Sequence, residues 1–127
     1  MNFTESKNDA IRAFRKYARL GLDRGGMDSL DIYERIRGAS SSRSSALDMI
    51  SVHDTMRILS AFGEEETAEA VREIYFKAWG RRPTRREIGQ RVLRFSSEHY
   101  CDERTVYRRL ELARKLYAAV RSGEKRF

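Results

Sequence analysis

The sequence predicts an all-α protein of about six helices. Three observations predict it: a single proline in 127 residues, apolar residues recurring at three- and four-residue spacing along most of the chain, and no stretch that alternates with period two. Alanine, leucine, arginine and glutamate, all good helix formers, are abundant, and β-branched runs are few. With 40% hydrophobic and 35% charged residues, the chain can build a modest core, as one domain or a small domain with an appendage.

The elements follow in order. "NDAIRAFRKYARLGL" puts Ile11, Phe14, Ala18 and Leu22 at helical spacing, with basic residues opposite, and closes near Gly21 or the "DRGG" turn. "DSLDIYERIRG" repeats the pattern through Leu30, Tyr33 and Ile36, before Gly38 and the serine-rich "ASSSRSS" interrupt it as a loop. Ser45-Ala-Leu-Asp48 has the spacing of a capping box and predicts a helix that starts there and runs to Gly63. Projected at 100° per residue, its apolar residues point nearly all the way round. Such a helix is buried on several sides, either centrally in a bundle or at a subunit interface; the second alternative implies a homodimer through the N-terminal half.

Three glutamates, Glu64 to Glu66, open the next helix, where they suit the positive end of the helix dipole. It spans roughly 64–79, with Ala68, Val71, Ile74, Tyr75 and Ala78 as its packing stripe. "RRPT" breaks the chain, and Thr84-Arg-Arg-Glu87 is a second capping box, heading a helix over roughly 84–99. Ile88, Val92, Phe95 and His99 share one face of it. A tight break at Tyr100-Cys101-Asp102 precedes the last helix, roughly 102–121, whose inner side carries Val106, Leu110, Ala113, Tyr117 and Val120.

The charge distribution narrows the function. Net charge is +7, but residues 1–79 carry 12 Lys/Arg against 13 Asp/Glu, while residues 80–127 carry 14 against 6. All the excess positive charge therefore lies in the last 48 residues, which suggests a polyanionic partner met by one part of the molecule; a basic surface kept for solubility is the plainer alternative. Arginine outnumbers lysine 21 to 5, and the planar guanidinium fork suits phosphates and guanine edges. Cys101 is alone, so no intramolecular disulfide forms; the N-terminus lacks a signal-peptide run and no segment approaches membrane-spanning length. A cytoplasmic protein with no membrane contact is expected.

The last three helices have the layout of a trihelical helix-turn-helix unit, in which the third helix enters the major groove of duplex DNA and the second crosses the backbone. This divides the chain into an N-terminal helical region for packing or dimerisation (1–62), a helix-turn-helix unit (63–122) and a basic tail (123–127). Asp102 can cap the third helix. With Val106 facing the core, Arg104, Arg108, Glu111 and Lys115 lie within about 40° of the opposite face, flanked by Thr105, Tyr107 and Arg109. These side chains can hold phosphates, reach a guanine edge or touch a thymine methyl. On the second helix Arg86, Gln90 and Arg94 share an outward strip, and Arg81, Arg82 and Arg85 add phosphate partners just before it.

On these residues the chain resembles a known group. "DERTVYRRLELARKLYAAV" is similar to the recognition-helix end of sigma-factor region 4 and to the C-terminal segments of phage late-transcription activators of the RinA/ArpU type. There a pattern like S-x-x-T-[VY]-x-R-x-L-x-x-A opens the recognition helix, and Asp102, Thr105, Val106, Arg108, Leu110 and Ala113 occupy the matching places. The resemblance covers roughly residues 84–120. It implies a sequence-specific, DNA-binding transcriptional regulator of phage or mobile-element origin. The N-terminal helices would then supply a dimer contact, an RNA-polymerase contact or a lid on the core. One departure stands out: "RVLRFSSEHYCD" is bulkier than the compact turn usual between the two helices and contains no glycine.

Two other readings use the same basic face: a protein-interaction module docking on an acidic protein, such as a polymerase subunit or a nucleic-acid-processing enzyme it inhibits, and an RNA binder. Catalysis is not expected. His99 and Cys101 could supply two metal ligands, but no second pair has zinc-like spacing, and no phosphate loop or nucleophile motif occurs. His53 reads as a hydrogen-bonded core or interface histidine, and no cofactor is implied.

Overall fold

The computed structural model describes residues 3–23, 28–39, 43–77 and 83–124. Among them the chain is all-helical: α1 (Phe3–Arg19), α2 (Ser29–Ala39), α3 (Arg43–Ala61), α4 (Glu65–Val71) with a π-helical turn continuing it (Arg72–Phe76), α5 (Arg85–Glu98) and α6 (Glu103–Glu124).

Helix ends are set by short-range chemistry. α1 and α3 both close on glycine in the left-handed region, Gly21 (φ 73) and Gly63 (φ 79). In each case the next amide reaches back to a carbonyl of the last turn: Leu22 N–H to Tyr17 O at 3.1 Å, Glu64 N–H to Leu59 O at 2.8 Å. These are Schellman closures, and they reverse the chain sharply enough for consecutive helices to pack. α2 opens with a reciprocal box. Asp28 Oδ1 accepts the Asp31 amide at 2.9 Å, and Asp31 Oδ2 accepts the Asp28 amide at 3.3 Å.

Two expectations are corrected here. Ser45 and Asp48 form no capping box, because α3 is already helical at Arg43. Their side chains serve tertiary contacts instead: Ser45 Oγ accepts from Lys16 Nζ at 2.9 Å, and Asp48 Oδ1 from Arg121 Nε at 2.6 Å. The second correction concerns α2, whose buried residues are Ile32 and Ile36, while Leu30 and Tyr33 face outward. α2 is amphipathic as expected, but rotated so that the two isoleucines meet α3.

α3 is the central element, packing against α1, α2, α4 and α6. Its near-complete apolar circumference is thus satisfied within one chain, and the interface alternative is not needed to explain it. One hydrophobic cluster runs through every helix. Its hub is Phe14, fully buried on α1, which stacks on Tyr75 (ring centroids 5.5 Å apart, planes 11° apart) and lies tilted against Phe76 and Tyr117. Burial pushes the Tyr17 phenol, beside this cluster, up to about 12.

The helix expected over 64–79 is regular only to Val71. In the π turn that follows, each residue rotates through less than the 100° of an α-helix, so Ile74, Tyr75 and Phe76 all point inward. That turn packs on α1 and α5. α5 leans chiefly on it and on α6, at the edge of the bundle. α6, 22 residues long, packs on α1, α3, α4 and α5: Arg109 in its first half reaches Glu66 of α4, and Tyr117 and Arg121 in its second reach Phe14 of α1 and Asp48 of α3. No helix among the described residues is long and apolar enough to cross a membrane.

Candidate nucleic-acid interface

α5 and α6 place most of the basic residues singled out in the sequence. Thr84 caps α5, its Oγ1 accepting the Glu87 amide at 3.1 Å and donating to Glu87 Oε1 at 3.2 Å. Val92 and Phe95 then face the core, which turns Arg86, Gln90 and Arg94 to solvent together with Leu93. His99, at the C-terminal end, stacks on Phe95 with centroids 3.9 Å apart, so its ring is used in packing.

The turn between the helices closes without glycine. Tyr100 takes the left-handed conformation itself (φ 53), and the Cys101 amide reaches the Ser96 carbonyl at 3.1 Å. The hydrogen-bonding pattern is that of the glycine turns after α1 and α3, with a tyrosine in glycine's place. Its side chain is 96% exposed. The glycine-free segment therefore makes a short, sharp reversal despite its bulk.

Asp102 starts α6. Its Oδ1 accepts the Thr105 amide at 2.7 Å. That bond, with the Thr105 hydroxyl second, holds the carboxyl below the usual carboxylate range; nearby Arg104 and Arg108 lower it further. The acidic residue is thus a cap, and among the described residues it makes no salt bridge with an arginine. Arg104, Tyr107 and Arg108 are exposed on the first turns, and Thr105 is half-buried. Among the described residues neither Arg104 nor Arg108 makes a salt bridge, and the same holds for Arg85, Arg86 and Arg94 on α5.

Two predicted contact residues already have acidic partners within the chain. Arg109 does not present itself to solvent. Its Nη2 lies 2.6 Å from Glu66 Oε2 and its Nη1 3.9 Å from Cys101 Sγ, with the side chain only 22% exposed. It ties α6 to the start of α4, because a position about 60° from the core-facing Val106 line falls against the neighbouring helix. Lys115 is exposed but paired with Glu111, one turn earlier, at 3.0 Å. That pair also holds the Glu111 carboxyl below its usual range. Glu66 was expected only to favour the helix dipole, and its partner Arg109, 43 residues away, carries no local signal. Arg81 and Arg82 lie outside the described residues.

Arg85 and Tyr107 face a groove between α5, α6 and α1, which sequence spacing could not have revealed because its third wall is remote in the chain. Tyr107 reaches α5 where Gly89 leaves room: a Cβ there would meet its hydroxyl at 3.9 Å. Arg114, beneath, donates to the Tyr75 hydroxyl at 2.8 Å. No group of three or more metal-ligating side chains occurs among the described residues. Comparison with known protein families, curated proteins and solved structures finds no match to this chain.

Proposed function

We propose that this protein is a sequence-specific DNA-binding regulator of transcription that uses α6 as its recognition helix and α5 as its backbone clamp. The observation that carries the reading is the start of α6: Asp102 fixes the helix end, and the first turns hold Arg104, Tyr107 and Arg108 exposed, with neither arginine in a salt bridge. Major-groove readers put such residues at the N-terminal end of a capped helix. Arg86, Gln90 and Arg94 on α5 supply donors of the kind that phosphates accept. The surplus of positive charge in residues 80–127 supports the same reading. In this reading Arg109 acts chiefly inside the protein, and Lys115, exposed on α6, adds a phosphate partner.

The test begins with a duplex selected from random sequence for tight binding. Arg86→Ala should then weaken binding to matched and mismatched duplexes alike and lower the salt slope by about one unit. Arg108→Ala should cost about 1–3 kcal/mol on the selected site and relax preference at one position. Equal losses on matched and mismatched DNA for Arg108→Ala would mean that α6 reads no bases. Failure to shift any duplex at about 50 mM salt would remove the DNA reading and leave the basic face as a protein-docking surface.

A further inference from the structure

We propose that the groove bounded by α1, the start of α5 and the flank of α6 is a docking site for an acidic amphipathic segment of a partner protein. The groove encloses about 620 Å³. Five cations line it, Lys7, Arg12, Arg15, Arg85 and Arg114, and they come from three helices. Among the described lining residues the one carboxylate is Glu111, which makes an exposed pair with Lys115 at 3.0 Å. Asp9 approaches Arg12 at 3.5 Å, but that pair is solvent-exposed and weakly binding. A wall with this balance attracts negative charge and disfavours positive partners.

Charge alone would fit nucleic acid as well. The floor decides between them. Ile11, Pro83 and Ile88 give the groove an apolar part alongside the cations, and Tyr107 lines it too. A phosphodiester backbone brings no apolar side chain to cover such a floor. A protein segment carrying leucine or phenylalanine at i, i+3, i+4 and i+7, with carboxylates between, covers both rim and floor. Arg104 and Arg108 do not line the groove, while Tyr107 and Arg85 do, so the site adjoins the base-reading surface and shares only that edge with it. A regulator that holds DNA on one surface and an acidic protein on another can bring the two together.

The probe is a fluorescein-labelled synthetic peptide of about 16 residues, with leucines at helical spacing and glutamates elsewhere. A scrambled peptide of the same composition is its control. Anisotropy should show binding by the intact protein, tighter for the patterned peptide than for the scrambled one. Lys7→Glu/Arg12→Glu, at two exposed side chains, should leave the helical circular dichroism unchanged and weaken binding at least about tenfold, or 1.4 kcal/mol. Arg104→Ala/Arg108→Ala should leave it intact, whether or not those residues bind DNA. Amide chemical shifts should move along α1, at the start of α5 and beside Tyr107. The proposal is overturned by absent binding, by equal binding of the scrambled peptide, or by shifts centred on Arg104 and Arg108. It is overturned equally if Lys7→Glu/Arg12→Glu weakens duplex DNA binding and DNA displaces the peptide, since the groove would then belong to the nucleic-acid footprint.

Discussion

Tyr100 stands in a conformation that glycine adopts freely and a tyrosine adopts at a cost of about 1 kcal/mol or more. Because its side chain is almost wholly exposed, no core contact offsets that cost. Tyr100→Gly should therefore raise stability by about 0.5 kcal/mol, the relieved strain exceeding the added freedom of the unfolded chain. A urea midpoint that falls instead would show that the ring makes a contact worth more than the strain. His53 gives a second residue-scale test. Its Nδ1 lies 3.4 Å from the Tyr17 hydroxyl, its Nε2 is buried without a partner, and burial, above all, lowers its pKa. A histidine whose folded pKa is depressed contributes stability in full above the ordinary value of about 6.5 and loses it as pH falls through that value toward the shifted one. Wild type should thus lose stability between pH 7 and 5.5 by more than His53→Gln does; parallel losses would exclude His53 as the cause. At this scale the sequence was legible where a cap is local. Thr84 and Asp102 cap as expected, but the capping-box spacing at Ser45 caps nothing because α3 is already helical at Arg43, and Lys16 and Arg121 use those side chains from far along the chain.

Between elements, the strongest polar tie joins α3 to α6. Arg121 donates through Nε to Asp48 at 2.6 Å and through Nη2 to Ser44 at 3.2 Å, while its Nη1 is buried without a partner. The Arg121 side chain is only 13% exposed, so removing its carboxylate partner leaves a cation short of both water and counter-charge. Asp48→Ala should cost about 2 kcal/mol, and Asp48→Asn, which keeps an acceptor but no charge, less. Equal costs would show that only the charge matters; no cost would show that solvent reaches the pair. Helix existence and order could be read from apolar spacing because each helix has a packing stripe. The rotation of α2 could not, since Leu30–Tyr33 and Ile32–Ile36 are both apolar pairs at helical spacing, and only contact with α3 selects one. The π turn was hidden for a related reason: Ile74 and Tyr75 fit an α-helical stripe that leaves Phe76 out, and only the contact with Phe14, which meets both Tyr75 and Phe76, shows Phe76 turned inward.

For the whole molecule, the turn at Phe62-Gly63 reads in the sequence as a domain division, yet the core runs across it. Phe14 of α1 rests on Tyr75 and Tyr117, and the second half of α6 packs on α1 and α3. The candidate recognition helix is therefore braced by the N-terminal half, a dependence carried by contacts more than 60 residues apart in sequence and invisible to local pattern. A fragment of residues 63–122 should consequently lose cooperative unfolding, because Tyr75, Ala113 and Tyr117 would face water and the hydrophobic cluster would lose its hub. It would nevertheless keep most of the surplus positive charge of the last 48 residues. Attraction to duplex DNA, which comes from counterion release, should survive with a steep salt dependence, whereas preference for a selected site over a mismatched one should collapse toward unity. Urea melts followed by near-ultraviolet dichroism, with gel shifts of fragment and intact chain on both duplexes over a salt series, measure the two effects separately. A fragment that melts cooperatively and selects the same site would show that α6 needs no brace, and that α1 to α3 serve a purpose other than holding it.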